Sequence, residues 1–424
     1  MASPSLTDLD KSHFWHPFTQ MQDWCAPDHE PLIIKSGQGA ILTDTKNNEY
    51  LDGNSSIWTN IHGHNHPAIN EALKKQLARL SHTSALGLTN PTAIKLAAKL
   101  ASFFADTTPA LNKVFFSDNG STAIECAVRM ALQFHQQTDQ PHRNQFITFT
   151  NAYHGDTLGA ASLGAIATFR NPIENLGLTV SSVKNMDQLR DLPDETLQNT
   201  AALAIEPLIQ GAAGMQTWPP GMLAHLRQWC DHHDILLILD EVMTGFGRTG
   251  KMFACQHEYV VPDFLCLAKG LTGGYLPLAA TLTSQKIFDA FLGDSQKTFF
   301  YGHSYCGNPL AAAAALANIQ IFEDEKTLTQ LQPKITLLTQ LLDHLKDNNP
   351  HVAAVRQCGF IAGIDIAHDH PQTGAQICLE ARNHGLLTRP VLNTLVLMPP
   401  LCTTDDQLQS ALLALNNATH SCLS

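Results

Sequence analysis

Charge is scarce in this sequence: 15% of its 424 residues are charged, and 26 basic side chains face 38 acidic ones, a net charge of −12. Holding nucleic acid needs concentrated Lys and Arg, and no basic run occurs, so no nucleic-acid partner is expected and small molecules are. Also missing is a stretch of ~20 continuous apolar residues, the length a membrane span requires, so the chain reads as soluble with no membrane contact. The opening MASPSLTDLDKSHFWHPF holds acidic residues and no apolar segment, which argues against a secretory signal. Ten cysteines form no CxxC pair and no regular framework, and read as reduced thiols in the cytoplasm. HExxH is absent, and the alternation His62, His64, His66 is cut short by Pro67 without flanking carboxylates, so no metal site is expected. The segment Gly245–Gly250 matches neither GxxxxGK[ST] nor the dinucleotide fingerprint.

What is present is alternation. At roughly 100–200 residues per domain the length predicts two to four units. Short apolar runs at 113–116, 145–149, 202–205, 235–239, 264–267 and 279–282 alternate with segments of helical period, the pattern of an α/β body with a mostly parallel sheet. Helices are expected over about 122–137 and 220–233, and one long Ala- and Leu-rich helix over about 310–346. Strand signals at 32–34 and 40–42, and again at 360–366 and 394–398, suggest that the two ends pair into one small domain. The expected division is 1–65 and 315–424 for the small domain, with 66–314 as the large one.

The chemistry collects where the predicted strands end, the place an open α/β sheet holds its ligand. Asp240 closes the most apolar run, and a carboxylate there needs a cationic or hydrogen-bond-donating partner to stay ionised. A strand-end Asp can equally be a helix cap. Lys269 follows Phe264–Ala268 and precedes a glycine-rich loop; a lysine beside apolar residues is a potential amine nucleophile, although most such lysines reach solvent. Gly120 and Ser121 lie at a predicted helix N-terminus, which suits a phosphate or is an ordinary cap. Tyr153 offers an aromatic face at another strand end, for stacking or for packing. Together a lysine, a carboxylate, a phosphate cradle and an aromatic face match what pyridoxal phosphate requires.

From about residue 10 to about 415, the order SDNGSTAIE, AYHGDT, IEPLIQGAAGM, LDEVMTGFGRTG, LAKGLTGG and GHSYCGNPLAAAAA resembles the class III aminotransferases of fold type I. Any one motif could arise by chance, but six in this order hardly could. The resemblance implies a pyridoxal-phosphate-dependent transferase, with a large domain built on a mostly parallel sheet and a small α+β domain from both chain ends. Lys269 would join the cofactor's aldehyde and shuttle the proton, Asp240 would face the pyridine nitrogen, and Tyr153 would cover the ring. Gly120 and Ser121 would hold the phosphate, Gln210 would lie near the phenolic oxygen, and Ser304 would reach the phosphate of a neighbouring subunit. The active sites would then be shared in a homodimer.

The likeness narrows at His16-Pro17-Phe18-Thr19, Ser55-Ser56-Ile57-Trp58, Gly302-His303-Ser304 and Leu387-Thr388-Arg389-Pro390. There it resembles the branch that aminates 7-keto-8-aminopelargonate, also called 8-amino-7-oxononanoate, in biotin biosynthesis. Phe18, Ile57, Trp58, Asp156, Arg248, Lys269, Gly302, His303 and Arg389 would then face the substrates, with Arg389 on a carboxylate. Usual members take the amino group from S-adenosylmethionine and carry a tyrosine and a second tryptophan where this chain has Phe18 and Ile57. A lysine-using branch is similar at the same motifs. Other class III enzymes acting on ornithine, 4-aminobutyrate or another ω-amine share the cofactor residues, as does a racemase or mutase on this scaffold; a binding protein would lack Lys269 or Asp240.

Overall fold

The computed structural model describes residues 3–171 and 176–423. At its centre is a seven-stranded sheet in the order Lys113–Ser117, Ala279–Thr283, Phe264–Leu267, Leu236–Asp240, Thr200–Ile205, Gln145–Phe149 and Val180–Val183. Only Ala279–Thr283 runs against its neighbours. Every residue of Thr200–Ile205, Leu236–Asp240 and Phe264–Leu267 is buried, as expected for strands covered on both faces. Alternate side chains go to opposite sides. Ala202, Ala204, Leu236, Ile238 and Phe264 pack with Ile124 and Val128 of the helix Gly120–Gln137. Leu203, Ile205, Leu237, Leu239 and Leu265 pack with Leu223 and Leu226 of the helix Met222–His232.

Three N-terminal strands, Ile34–Gln38, Ile41–Asp44 and Glu49–Asp52, form an antiparallel meander, and Leu386–Leu387 adds to it in parallel beside Glu49–Asp52. A second small sheet joins Val352–Cys358, Ile361–Ile366, Thr394–Leu397 and Pro390–Val391. Segments from both chain ends therefore meet at Leu387, two residues before Arg389.

Several details differ from the sequence-based expectation: Glu49–Asp52 and Val352–Cys358 are strands it did not include, and the first strand begins at Ile34 rather than spanning 32–34. The long helix expected over 310–346 is two helices, Pro309–Asp324 and Thr327–Asn348, separated where Lys326 takes a left-handed conformation (φ 50°). No Gly or Pro marks that break, so composition alone hides it. The strand Val180–Val183 was not foreseen: it is a short edge strand with two serines, hydrogen-bonded only to Gln145–Phe149.

Candidate active site

The C-terminal ends of the parallel strands open into a cavity of about 1360 Å³, closed on its other sides by residues around Phe18, Trp58 and Arg389. Lys269 emerges two residues after the strand Phe264–Leu267 with a left-handed backbone (φ 41°), and its Nζ has no hydrogen-bond or ion-pair partner among the described residues. Burial lowers its pKa to about 8, although Asp240 and Glu206 pull the other way. The Trp58 ring lies over it, with its centroid 4.7 Å from Nζ.

Asp240 is buried at the end of its strand, where Oδ2 lies 2.7 Å from His154 Nδ1 and Oδ1 accepts the Val242 N–H at 3.1 Å. Burial works against a charge on His154, but the Asp240 bond and charge, with Glu206, raise its pKa overall. The two residues thus orient each other: Asp240 accepts from the imidazole N–H, and the carboxylate fixes which ring nitrogen carries the proton. His154 Nε2 is buried without a partner. Glu206, at the end of Thr200–Ile205, accepts the N–H groups of Tyr153 at 3.1 Å and Gly211 at 2.9 Å, and burial pushes its pKa up to about 7.

The helix Gly120–Gln137 points its N-terminus at the cavity. Asn119 caps it by accepting the Thr122 N–H at 3.0 Å, while the N–H groups of Gly120 and Ser121 have no partner among the described residues. An open N–H pair at the positive end of an 18-residue helix is a cradle for an anion. Ser121 Oγ accepts the Asp156 N–H at 2.8 Å, and Gly155 (φ 114°) runs so close that a Cβ there would stand 1.8 Å from that oxygen. Tyr153 donates its hydroxyl to Asp156 at 2.7 Å, and its ring packs 5.1 Å from Phe169. An unpaired amine, a buried carboxylate, an open helix N-terminus and an aromatic face bordering one cavity fit pyridoxal phosphate.

Phe18, Ile57, Trp58, Gly120, Ser121, Tyr153, Asp156, Asp240, Lys269 and Arg389 all border the cavity. Arg389 is exposed there, and its guanidinium has no partner among the described residues. Arg248, expected to face substrate, does not border it. Its side chain is fully buried, donating to the carbonyls of Pro399 and Asn60, each at 2.7 Å, and burial lowers its pKa to about 9. Gln210, expected beside the cofactor, is buried behind the wall and donates to the Thr150 carbonyl at 3.1 Å. Gly302, His303 and Ser304 lie outside this chain's own cavity; His303 sits 3.8 Å from Asp118 at the rim, and Ser304 is exposed.

His154 and Glu206 were missed as functional groups. Glu206 carries the same signal as Asp240, a carboxylate closing an apolar run, and His154 adjoins Tyr153 in the same motif. The three histidines at 62, 64 and 66 also differ from expectation: a carboxylate does stand beside them, because Asp52 Oδ2 lies 2.9 Å from His64 Nε2. Twelve residues of sequence hide that contact.

A family model described as aminotransferase class-III matches residues 25–419. The chain is 44% identical to the adenosylmethionine-8-amino-7-oxononanoate aminotransferase of Geobacter sulfurreducens, covering 98% of both, and 39% identical to the protein of that name from Staphylococcus aureus, covering 99% and 98%. Among solved structures it resembles the protein of that name from Methanocaldococcus jannaschii, with a TM-score of 0.94, 38% identity and 98% of each chain covered. An amine transaminase from an uncultivated Pseudomonas species, solved in the PLP-bound form, superposes with a TM-score of 0.89 at 33% identity over 97% of this chain and 99% of that one.

Proposed function

The chain belongs to the class III aminotransferases, and from that premise we propose that it aminates 8-amino-7-oxononanoate to 7,8-diaminononanoate, a step of biotin biosynthesis. The observation that carries the chemistry is Lys269: an unpaired amine of lowered pKa in a cavity that also holds Asp240 and an open helix N-terminus. Pyridoxal phosphate, when bound, supplies an aldehyde that joins amines and a ring that accepts electrons. The N–H groups of Gly120 and Ser121 would hold its phosphate. Asp240, held by His154 and the Val242 N–H, would offer its carboxylate to the ring nitrogen, and Tyr153 would cover one ring face. Nζ of Lys269 takes a proton from the donor's α-carbon and returns one to the former ketone carbon of the acceptor, a role that a pKa of about 8 suits because both protonation states are accessible near neutrality. Arg389 receives a carboxylate through its guanidinium fork. Phe18, Ile57 and Trp58 wall the alkyl chain and exclude water.

The donor is an α-amino acid bearing a second cation, S-adenosylmethionine as in the relatives' names or lysine as Phe18 and Ile57 favour. Holoenzyme mixed with each donor decides between them: the true donor converts the visible absorbance of the bound cofactor, and 8-amino-7-oxononanoate restores it. If neither donor changes the spectrum, or the keto acid fails to restore it, the reading is wrong.

We read the active enzyme as a cytoplasmic homodimer, and ten unpaired thiols support the reducing compartment. Exposed Leu86, Leu88, Phe300 and Tyr305 support the dimer, with His82 tying the two segments together through the Ser304 carbonyl at 2.8 Å. Ser304, and with it Gly302 and His303, would then serve the neighbouring copy. Residues 1–65 and 315–424 are read as one small unit on the body 66–314, which the pairing of Glu49–Asp52 with Leu386–Leu387 supports.

A further inference from the structure

Trp58 reaches Lys269 from an unusual piece of backbone. Ser55, Ser56, Ile57 and Trp58 all have positive φ, at 46°, 49°, 65° and 67°, a complete left-handed turn made without glycine. L-residues resist that conformation, so such a turn persists only where its surroundings impose it. The buried Asp52 does so: Oδ1 accepts the Ser56 N–H and Oδ2 the Ser56 hydroxyl, both at 2.9 Å. The same Oδ2 lies 2.9 Å from His64 Nε2, and His64 Nδ1 lies 3.1 Å from Asn60 Nδ2. With the Asn60 amide donating, Nδ1 is the acceptor and Nε2 donates to Asp52, so the imidazole links the two ends of the turn.

The far side is pressed against the loop that carries the lysine. A Cβ on Gly274 (φ 86°) would stand 2.9 Å from the Asn60 backbone, and Ser55 Oγ donates to the Met398 carbonyl at 2.7 Å. On the other side Ile57 and Trp58 border the cavity.

We propose that Asp52 and His64 are positioning residues of the reaction, clamping the left-handed turn Ser55–Trp58 so that the Trp58 ring stays over Lys269 and shapes the donor side of the cavity. The inference rests on that cavity being the transamination site. It gives His64, left without a role by the sequence pattern, a function through Asp52 and not through a metal.

The test is a double-mutant cycle on the holoenzyme combined with amide hydrogen exchange. Asp52→Ala raises the donor KM about tenfold with a smaller change in kcat, Trp58→Ala does the same, and the double variant is no worse than Trp58→Ala alone. Asp52→Asn, which keeps an acceptor for the Ser56 N–H but sets an amide NH2 against the His64 Nε2–H, recovers only part of the loss. The Trp58, Thr59 and Asn60 amides, bonded to the carbonyls of Asn54 and Ser55, exchange about tenfold faster in Asp52→Ala while those of the central sheet do not change. Multiplying KM effects, an unchanged KM, or unchanged exchange would each overturn the clamp. If Asp52→Ala does not fold, His64→Gln carries the same cycle and the same criteria. Exchange needs no substrate: a wild-type enzyme that aminates nothing overturns the functional reading, while the exchange rates still decide the clamp.

Discussion

Two arginines show how differently one side chain can serve a site. Arg389 is exposed and unpaired at the cavity, whereas Arg248 is sealed in and bound to two backbone carbonyls. Arg248→Met leaves the Asn60 and Pro399 carbonyls unpaired, and chemical denaturation should show a loss on the order of 2–4 kcal/mol. Arg389→Met should leave the unfolding midpoint unchanged and raise the KM of a carboxylate substrate. Glu241, next to Asp240, illustrates buried ionisation: it accepts the Ala254 N–H at 2.6 Å and the Cys255 N–H at 2.7 Å, and burial pushes its pKa up to about 7. Because the folded-state pKa lies above the unfolded value, the protonated form binds its proton more tightly when folded, and this contribution is full below pH 4.5 and lost as pH rises to about 7. Glu241→Gln keeps an acceptor and removes that titration. The stability of the wild type relative to this variant should fall, on the order of 3 kcal/mol between those limits, and a pH series of unfolding curves checks it.

At the level of elements, the central strands were legible because they are buried on both faces and therefore read as unbroken apolar runs ending in Asp240, Glu206 or the Lys269 loop. The edge strand Val180–Val183 and the break at Lys326 were not, since neither leaves an apolar run or a Gly or Pro signal. Gly120, Ser121, Tyr153, Asp240 and Lys269, which border the cavity together, were visible in local motifs. The environment of Arg248 was not, because its partners lie 188 and 151 residues away in sequence, and neither was the Asp52–His64 contact. Nor does any residue type announce the left-handed turn, where serines, an isoleucine and a tryptophan occupy positions that favour glycine. Its strain makes a prediction in which the usual order of residues is reversed. Ile57→Gly should be more stable than Ile57→Ala by about 1 kcal/mol in thermal unfolding, since glycine alone escapes the left-handed penalty.

For the molecule as a whole the net charge is −12, and the cavity sets Lys269, Arg389 and a helix N-terminus beside the carboxylates of Asp118, Asp156, Glu206 and Asp240. No helix among the described residues is long and apolar enough to cross a membrane, and the apolar side chains of Leu86, Leu88, Phe300 and Tyr305 stand exposed. A second copy is the partner proposed above. Leu86→Asp should shift the chain from dimer to monomer in sedimentation and remove activity with it, without altering Lys269. The most direct measurement of the central claim is product formation: wild type and Lys269→Ala, each with pyridoxal phosphate, 8-amino-7-oxononanoate and either S-adenosylmethionine or lysine, followed by mass spectrometry. The account predicts 7,8-diaminononanoate from the wild type with one of the donors and none from Lys269→Ala. Product from the lysine variant at the wild-type rate, or none from the wild type with either donor, would contradict it.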